Sequence, residues 1–132
     1  MKQLLSRLLA FVLVISISLT SCASAPTNLT GDYRQDSLTL INSLRTAIEL
    51  PEDSANKVEA QADARTKINE FVSRYRRNDS LTSLSSYTTL RTALNSLAGH
   101  YSSYPNRPLP DKLKNRLEQE FRQIESSLSR GA

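Results

Sequence analysis

Cys22 is the residue whose type and surroundings point most directly to covalent chemistry. It is the only cysteine among 132 residues, and it follows Leu19, Thr20 and Ser21. An aliphatic residue, two small residues and a cysteine make up the bacterial lipobox, in which the thiol receives a diacylglyceryl group and the peptide is cut before the cysteine. A plain signal peptide with an incidental cysteine is the alternative. We favour lipidation because the single cysteine occupies this one position.

The segment before Cys22 has the three parts of a secretory signal. Lys2 and Arg7 supply a positive start, residues 8–19 are mostly apolar, and small residues follow. The apolar run is shorter than the roughly 20 residues that a membrane-spanning helix needs. We therefore predict a lipoprotein signal peptide over residues 1–21 and a lipidated flexible tether over residues 22–31. Residues 32–132 then form one domain.

The rest of the chain offers little for catalysis. His100 is the only histidine, and with Cys22 used for lipid no second histidine or cysteine completes a metal set. The sequence also lacks a Glu-x-x-His pair of the di-iron type and a glycine-rich phosphate loop. We therefore predict no catalytic residue, no metal site and no cofactor, and we expect His100 to be a surface or interface residue. An exported, tethered chain should also have no nucleic-acid partner.

Four stretches of the domain carry apolar residues at the three- and four-residue spacing of amphipathic helices. We predict that the side chains of these four stripes form the core. The members of the four stripes are Leu38, Ile41, Leu44 or Arg45, and Ile48; Val58, Ala62, Ile68, Phe71, Val72 and Tyr75; Leu84, Tyr87, Leu90, Leu94, Leu97, Tyr101 and Tyr104; and Leu113, Leu117, Phe121, Ile124 and Leu128.

Short turns between these stretches favour an all-α domain, an antiparallel up-down-up-down four-helix bundle. A three-helix alternative would merge the first two stretches, and Pro51 argues against it because proline interrupts a helix interior. We expect Pro51 to close the first helix and to open the second from its first turn. In this arrangement Asp36, early in the first helix, should lie near residues 74–77 and form a salt bridge there. An exposed bridge would contribute under about 1 kcal/mol.

Charge is distributed unevenly along the domain. Residues 32–64 carry three basic and seven acidic residues, whereas residues 65–116 carry ten basic and three acidic ones. The end of the second helix, the turn between the third and fourth helices and the start of the fourth should therefore form a positive region. Such asymmetry steers association and selects partners without deciding the fold.

Four segments of the sequence resemble a known protein family. They are "GDYRQDSLTLINSLRTAIELP", "ARTKINEFVSRYRR", "SYTTLRTALNSLAGHYSSYPNRPLPDKLKNRLEQEF" and the ending "LSRGA". Together with the lipobox, they closely resemble the cyanobacterial branch of the Psb twenty-seven family, the small lumenal assembly factors of photosystem II. The likeness spans nearly the whole domain and keeps the order and spacing of its motifs.

The resemblance implies a non-catalytic assembly and repair factor on the lumenal side of the thylakoid membrane, held there by its lipid and monomeric when free. Its implied partner is the photosystem II core, chiefly the lumenal loop of the inner antenna chlorophyll protein, in immature or damaged complexes. Binding would precede the manganese cluster and the extrinsic subunits. A generic envelope lipoprotein with a structural or adaptor role is the alternative.

The turn before the fourth helix and its flanks are our candidate partner-binding face, because tyrosine and arginine are frequent anchors of interfaces. The competing interpretation is that these side chains brace the turn. The candidate residues are Arg91, His100, Tyr104, Arg107, Pro108 and Lys112.

Overall fold

The computed structural model describes residues 29–104 and 107–132. The predicted signal peptide, Cys22 and residues 23–28 of the predicted tether lie outside these ranges. The described chain is helical, with four long helices and one short one. Their bounds are α1 Tyr33–Glu49, α2 Lys57–Tyr75, α3 Asp79–Thr82, α4 Ser85–Ser103 and α5 Asp111–Ser129.

Contacts at one end of the molecule establish the antiparallel order of the long helices. The Tyr33 ring, at the start of α1, meets the Tyr75 ring at the end of α2 edge-on, with centroids 5.4 Å apart. The Tyr33 hydroxyl also hydrogen-bonds Ser86 Oγ at the start of α4, at 2.8 Å. Ser85 in turn lies 3.4 Å from Ser127 near the end of α5. Starts and ends therefore alternate, which confirms the predicted up-down-up-down bundle.

The hydrophobic core draws on all four long helices. Its largest fully buried side chains are Leu40 and Ile41 in α1, Phe71 in α2, Leu90 in α4, and Leu117, Phe121 and Ile124 in α5. α1 packs along α2, α4 packs along α5, and α1 also contacts α5. Burial of these side chains stabilises the bundle by about 1.5–3 kcal/mol for each large apolar residue.

The connection between α1 and α2 differs from the prediction. Pro51 follows the end of α1, but α2 begins only at Lys57 and Pro51 does not open it. The buried Lys57 ammonium donates hydrogen bonds to the carbonyls of Ala47 at 2.6 Å and Leu50 at 2.9 Å. The last carbonyls of a helix lack partners within it and carry partial negative charge, so this lysine caps α1 from the next helix.

The core stripe predicted for α2 is partly wrong. Val58 is 76% exposed, and Ala62 is exposed as well. The buried positions of this helix are Lys57, Ala64, Lys67, Phe71 and Tyr75. Two of the five are lysines whose stems pack inside while their ammonium groups find partners, a common use of long amphipathic side chains.

No helix within the described residues is long and apolar enough to cross a membrane.

Candidate partner-binding surfaces

The turn between α4 and α5 brings three of the candidate residues into contact. His100 Nε2 donates a hydrogen bond to the carbonyl of Arg107 at 3.2 Å. The His100 ring lies 5.7 Å from the Tyr104 ring, and the Arg107 guanidinium stands 5.5 Å from the centre of the same tyrosine. We call His100, Tyr104 and Arg107 the turn cluster. Tyr104 is 50% exposed, so the cluster presents an aromatic and cationic surface to solvent.

These contacts also stabilise the turn itself. The backbone N–H of Arg107 donates to the carbonyl of Tyr104 at 3.2 Å, and the His100 bond closes the same loop from the helix. Both interpretations of the cluster, a binding surface and a brace, are therefore compatible with its geometry.

The other three candidates occupy different positions. Pro108 and Lys112 are exposed and follow the turn cluster along the chain. Arg91 lies nine positions before His100 on α4, which is half a turn of rotation and roughly 14 Å along the axis. It lines a groove between α2 and α4 together with Phe71, Val72 and Arg76. Arg91 therefore belongs to a second surface, formed by α2 and α4.

The start of the domain is fixed by a buried carboxylate that the sequence did not single out as such. Asp36 has no solvent exposure. It accepts hydrogen bonds from the backbone N–H of Thr30 at 2.6 Å, from the N–H of Gly31 at 3.0 Å and from the Thr30 hydroxyl at 3.0 Å. Leu29 packs against the core beside them. Residues 29–31, expected to belong to the tether, are thus held against the bundle.

The predicted salt bridge at this end is present, but one partner is buried. Arg74 Nη1 lies 3.5 Å from the Asp36 carboxylate, and Tyr75 donates to the same carboxylate. Burial by itself raises the pKa of Asp36, but the hydrogen bonds from Tyr75, Thr30 and Gly31 outweigh it and hold the pKa below its ordinary value of 3.8. Burial also raises the pKa of Tyr75, and its bond to Asp36 raises it further. Asp36 therefore stays ionised and Tyr75 protonated.

A second ionic group joins α1 to α5. The Arg45 guanidinium hydrogen-bonds Glu118 at 2.9 and 3.0 Å and also bonds Glu125, seven residues or about two turns later on α5. It stands 5.7 Å from the Phe121 ring, which lies between the two glutamates in sequence. Hydrogen bonds from Arg45 lower the pKa of Glu118. Arg45 thereby fixes the register of α1 against α5, a structural role that its place in the α1 stripe could have suggested.

Within the described ranges, no three histidine, cysteine, aspartate or glutamate side chains are grouped as a metal ion would require.

Comparison with known proteins identifies the family. The family model described as Photosystem II Pbs27 matches residues 3–128. The "Photosystem II assembly factor lipoprotein Psb27" of Thermosynechococcus vestitus is 62% identical over 132 residues, which is all of this chain and 98% of that protein. The Arabidopsis thaliana "Photosystem II repair protein PSB27-H1, chloroplastic" is 31% identical over 89% of this chain and 70% of that protein.

A solved structure agrees with the fold. The "Solution Structure of Psb27 from cyanobacterial photosystem II" superposes with a TM-score of 0.75 at 55% identity, covering 85% of this chain and 96% of that one. Family model, sequence relatives and structure point the same way, and the chain belongs to the photosystem II Psb27 family.

Proposed function

We propose that this protein is a non-catalytic assembly and repair factor of photosystem II. It binds transiently on the lumenal side, to the lumenal loop of the inner antenna chlorophyll protein, in immature or damaged complexes. It acts before the manganese cluster and the extrinsic subunits are in place. The observation that carries the proposal is the match over residues 3–128 to the photosystem II family, with relatives named as assembly and repair proteins.

Attachment to the thylakoid membrane through a lipid at Cys22 is part of the proposal. A lipid anchor confines the domain beside its membrane-embedded partner, and the raised local concentration lets a modest interface suffice. The name of the Thermosynechococcus relative, a lipoprotein, supports this assignment. Mass spectrometry of the N-terminal peptide should find Cys22 acylated, and an unmodified Cys22 would remove the anchor from the proposal.

The turn cluster, with Pro108 and Lys112, is the proposed contact with the antenna protein. It is exposed, and it combines an aromatic ring with cations, which suits a polar interface that must later release. Charges of this kind speed encounter more than they slow dissociation.

Affinity capture from a cyanobacterium tests the function. A chain tagged at its C-terminus should fractionate with thylakoid membranes and retain photosystem II core subunits that lack the extrinsic proteins. A Cys22→Ser variant should lose most of its membrane attachment and capture less of the core. Recovery in the outer membrane alone, without photosystem II subunits, would instead favour a generic envelope lipoprotein.

A further inference from the structure

The surface between α2 and α4 contains an open groove with an apolar floor. One part of it has a volume of about 700 Å³ and the next part about 490 Å³. Ile68, Leu94 and Ala98 line both parts, so the two form one continuous groove. Ile68 and Leu94 are half-buried beside the core, which leaves apolar surface available to an occupant.

The rim of the groove is positive. Arg76 and Arg91 line the first part and Arg65 the second, and no acidic residue lines either part. The whole of α4 lacks aspartate and glutamate. Among the described residues, none of these three arginines takes part in a salt bridge, whereas Arg45, Arg74, Arg116 and Arg122 all do. The groove therefore offers three cations to whatever lies in it.

The dimensions suit a helix. The groove extends from Arg76 to Gln61 along α2, fifteen residue steps or about 22 Å at 1.5 Å per residue. A helix satisfies its own backbone hydrogen bonds, so it can bury an apolar face on Ile68 and Leu94 without leaving polar groups unpaired. Acidic side chains at the edges of that face would meet the three arginines.

We propose that the α2–α4 groove binds an acidic amphipathic helix of a photosystem II protein. The inference rests on the proposed function and adds a second contact surface to it. Tyr101 lines the far end of the groove, and its ring lies 5.5 Å from the His100 ring of the turn cluster. The groove and the turn cluster thus adjoin, and one partner can cover both.

Charge reversal tests the rim. The Arg65→Glu, Arg91→Glu double variant of the tagged full-length chain should capture about tenfold less photosystem II core than the unaltered chain. The matched control is Arg34→Glu, Arg130→Glu, which changes net charge equally at exposed positions that line neither part of the groove; its capture should be unchanged. Circular dichroism checks that each variant is folded. Equal capture by the folded groove variant and the control overturns the groove proposal alone, whereas absence of photosystem II from the unaltered chain's capture overturns both proposals.

Site-specific cross-linking identifies the occupant directly. A photo-reactive benzoylphenylalanine at position 98, where Ala98 is exposed in the groove, should cross-link in thylakoids to a photosystem II peptide with an apolar helical face flanked by acidic residues. The same probe at position 130 should not yield that product. A cross-link to a second copy of this chain, to lipid only, or to no photosystem II peptide overturns the proposal.

Discussion

Tyr75, the last residue of α2, donates a 2.6 Å hydrogen bond from its hydroxyl to the carboxylate of Asp36 in the first turn of α1. The two residues are 39 positions apart. Because the same carboxylate also holds the backbone of Thr30 and Gly31, one side chain ties together α1, α2 and the point where the chain enters the bundle.

Removing that carboxylate should be costly. Asp36→Ala leaves the Tyr75 hydroxyl and the two backbone N–H groups without their acceptor, and we expect a loss of about 3 kcal/mol in the free energy of unfolding. Urea unfolding followed by circular dichroism measures it. Asp79→Ala, an exposed aspartate at the start of α3, is the control and should change stability by under about 0.5 kcal/mol. Equal effects of the two variants would show that the Asp36 network contributes nothing particular.

The pH dependence of stability should carry the signature of Asp36. Its pKa in the folded protein lies below the ordinary value of 3.8, so the folded state holds the ionised form more strongly than the unfolded chain does. This contribution is fully present above pH 3.8 and is lost as the pH falls through the folded pKa. The stability difference between the unaltered chain and Asp36→Asn should therefore be largest near neutral pH and narrow below about pH 4. A difference that stayed constant down to pH 2 would contradict the assignment.

Arg45 and Arg122 both bond Glu118, but Arg45 should contribute more to the free energy of unfolding. The Arg45 side chain is 22% exposed and bonds two glutamates across helices, whereas that of Arg122 is 74% exposed and bonds within α5. Arg45→Met should lower the free energy of unfolding by about 1–2 kcal/mol, and Arg122→Met by under about 0.5 kcal/mol. Thermal and urea unfolding at low ionic strength provide the comparison. Indistinguishable losses would refute the role of Arg45 in fixing α1 against α5.

Substitution of Gly31 or Gly99 by alanine should change the free energy of unfolding in opposite directions. Gly31 has φ +92°, a conformation that side chains disfavour, although an added Cβ would meet only the end of Arg74 at 3.6 Å. Gly31→Ala should therefore destabilise by about 1 kcal/mol. Gly99 lies inside α4 with open space around it, so Gly99→Ala should stabilise by about 0.5–1 kcal/mol. Midpoints of urea unfolding test the pair, and a stabilising Gly31→Ala would argue against the fixed entry at residues 30–31.

Charge reversal at the turn distinguishes a role in partner binding from a role in stabilising the turn. Arg107→Glu with Lys112→Glu should lower capture of photosystem II cores about tenfold while the midpoint of thermal unfolding stays within a few degrees. The control is Lys114→Glu with Arg116→Glu, an equal change of charge one turn further along α5. Normal capture by the folded turn variant would leave the cluster as a brace only.

α5 shows how far periodicity alone can go. Four of its five predicted core residues, Leu117, Phe121, Ile124 and Leu128, are buried, and Leu113 packs against the core. The buried residues of α2 were harder to predict, because one side of this helix packs against α1 and another side lines the groove. Val72, predicted as core, forms part of the groove wall, whereas Ile68 packs against the core and also lines the groove. An apolar stripe does not distinguish a face covered within the chain from one left open.

The contacts of Asp36 were predicted from the sequence only in part. Antiparallel helices placed Asp36 near Arg74, and that pair is present. Burial of the carboxylate was not predictable, since it depends on Thr30 and Gly31 folding back over the start of α1. The grouping of His100 with Tyr104 and Arg107 followed from their closeness in sequence, whereas Arg91 required the rotation of α4 to be known.

Because residues 29–31 are held against the bundle, only residues 22–28 separate the domain from the proposed lipid anchor. With the lipid proposed at Cys22, seven residue steps separate the anchor from Leu29, and they can span at most about 25 Å. The turn cluster lies at the other end of the bundle, beyond the 19 residues of α4, or roughly 28 Å further. With that lipid in place, the turn cluster could lie up to about 50 Å from the membrane surface, and the partner proposed for it must present its contact within that distance.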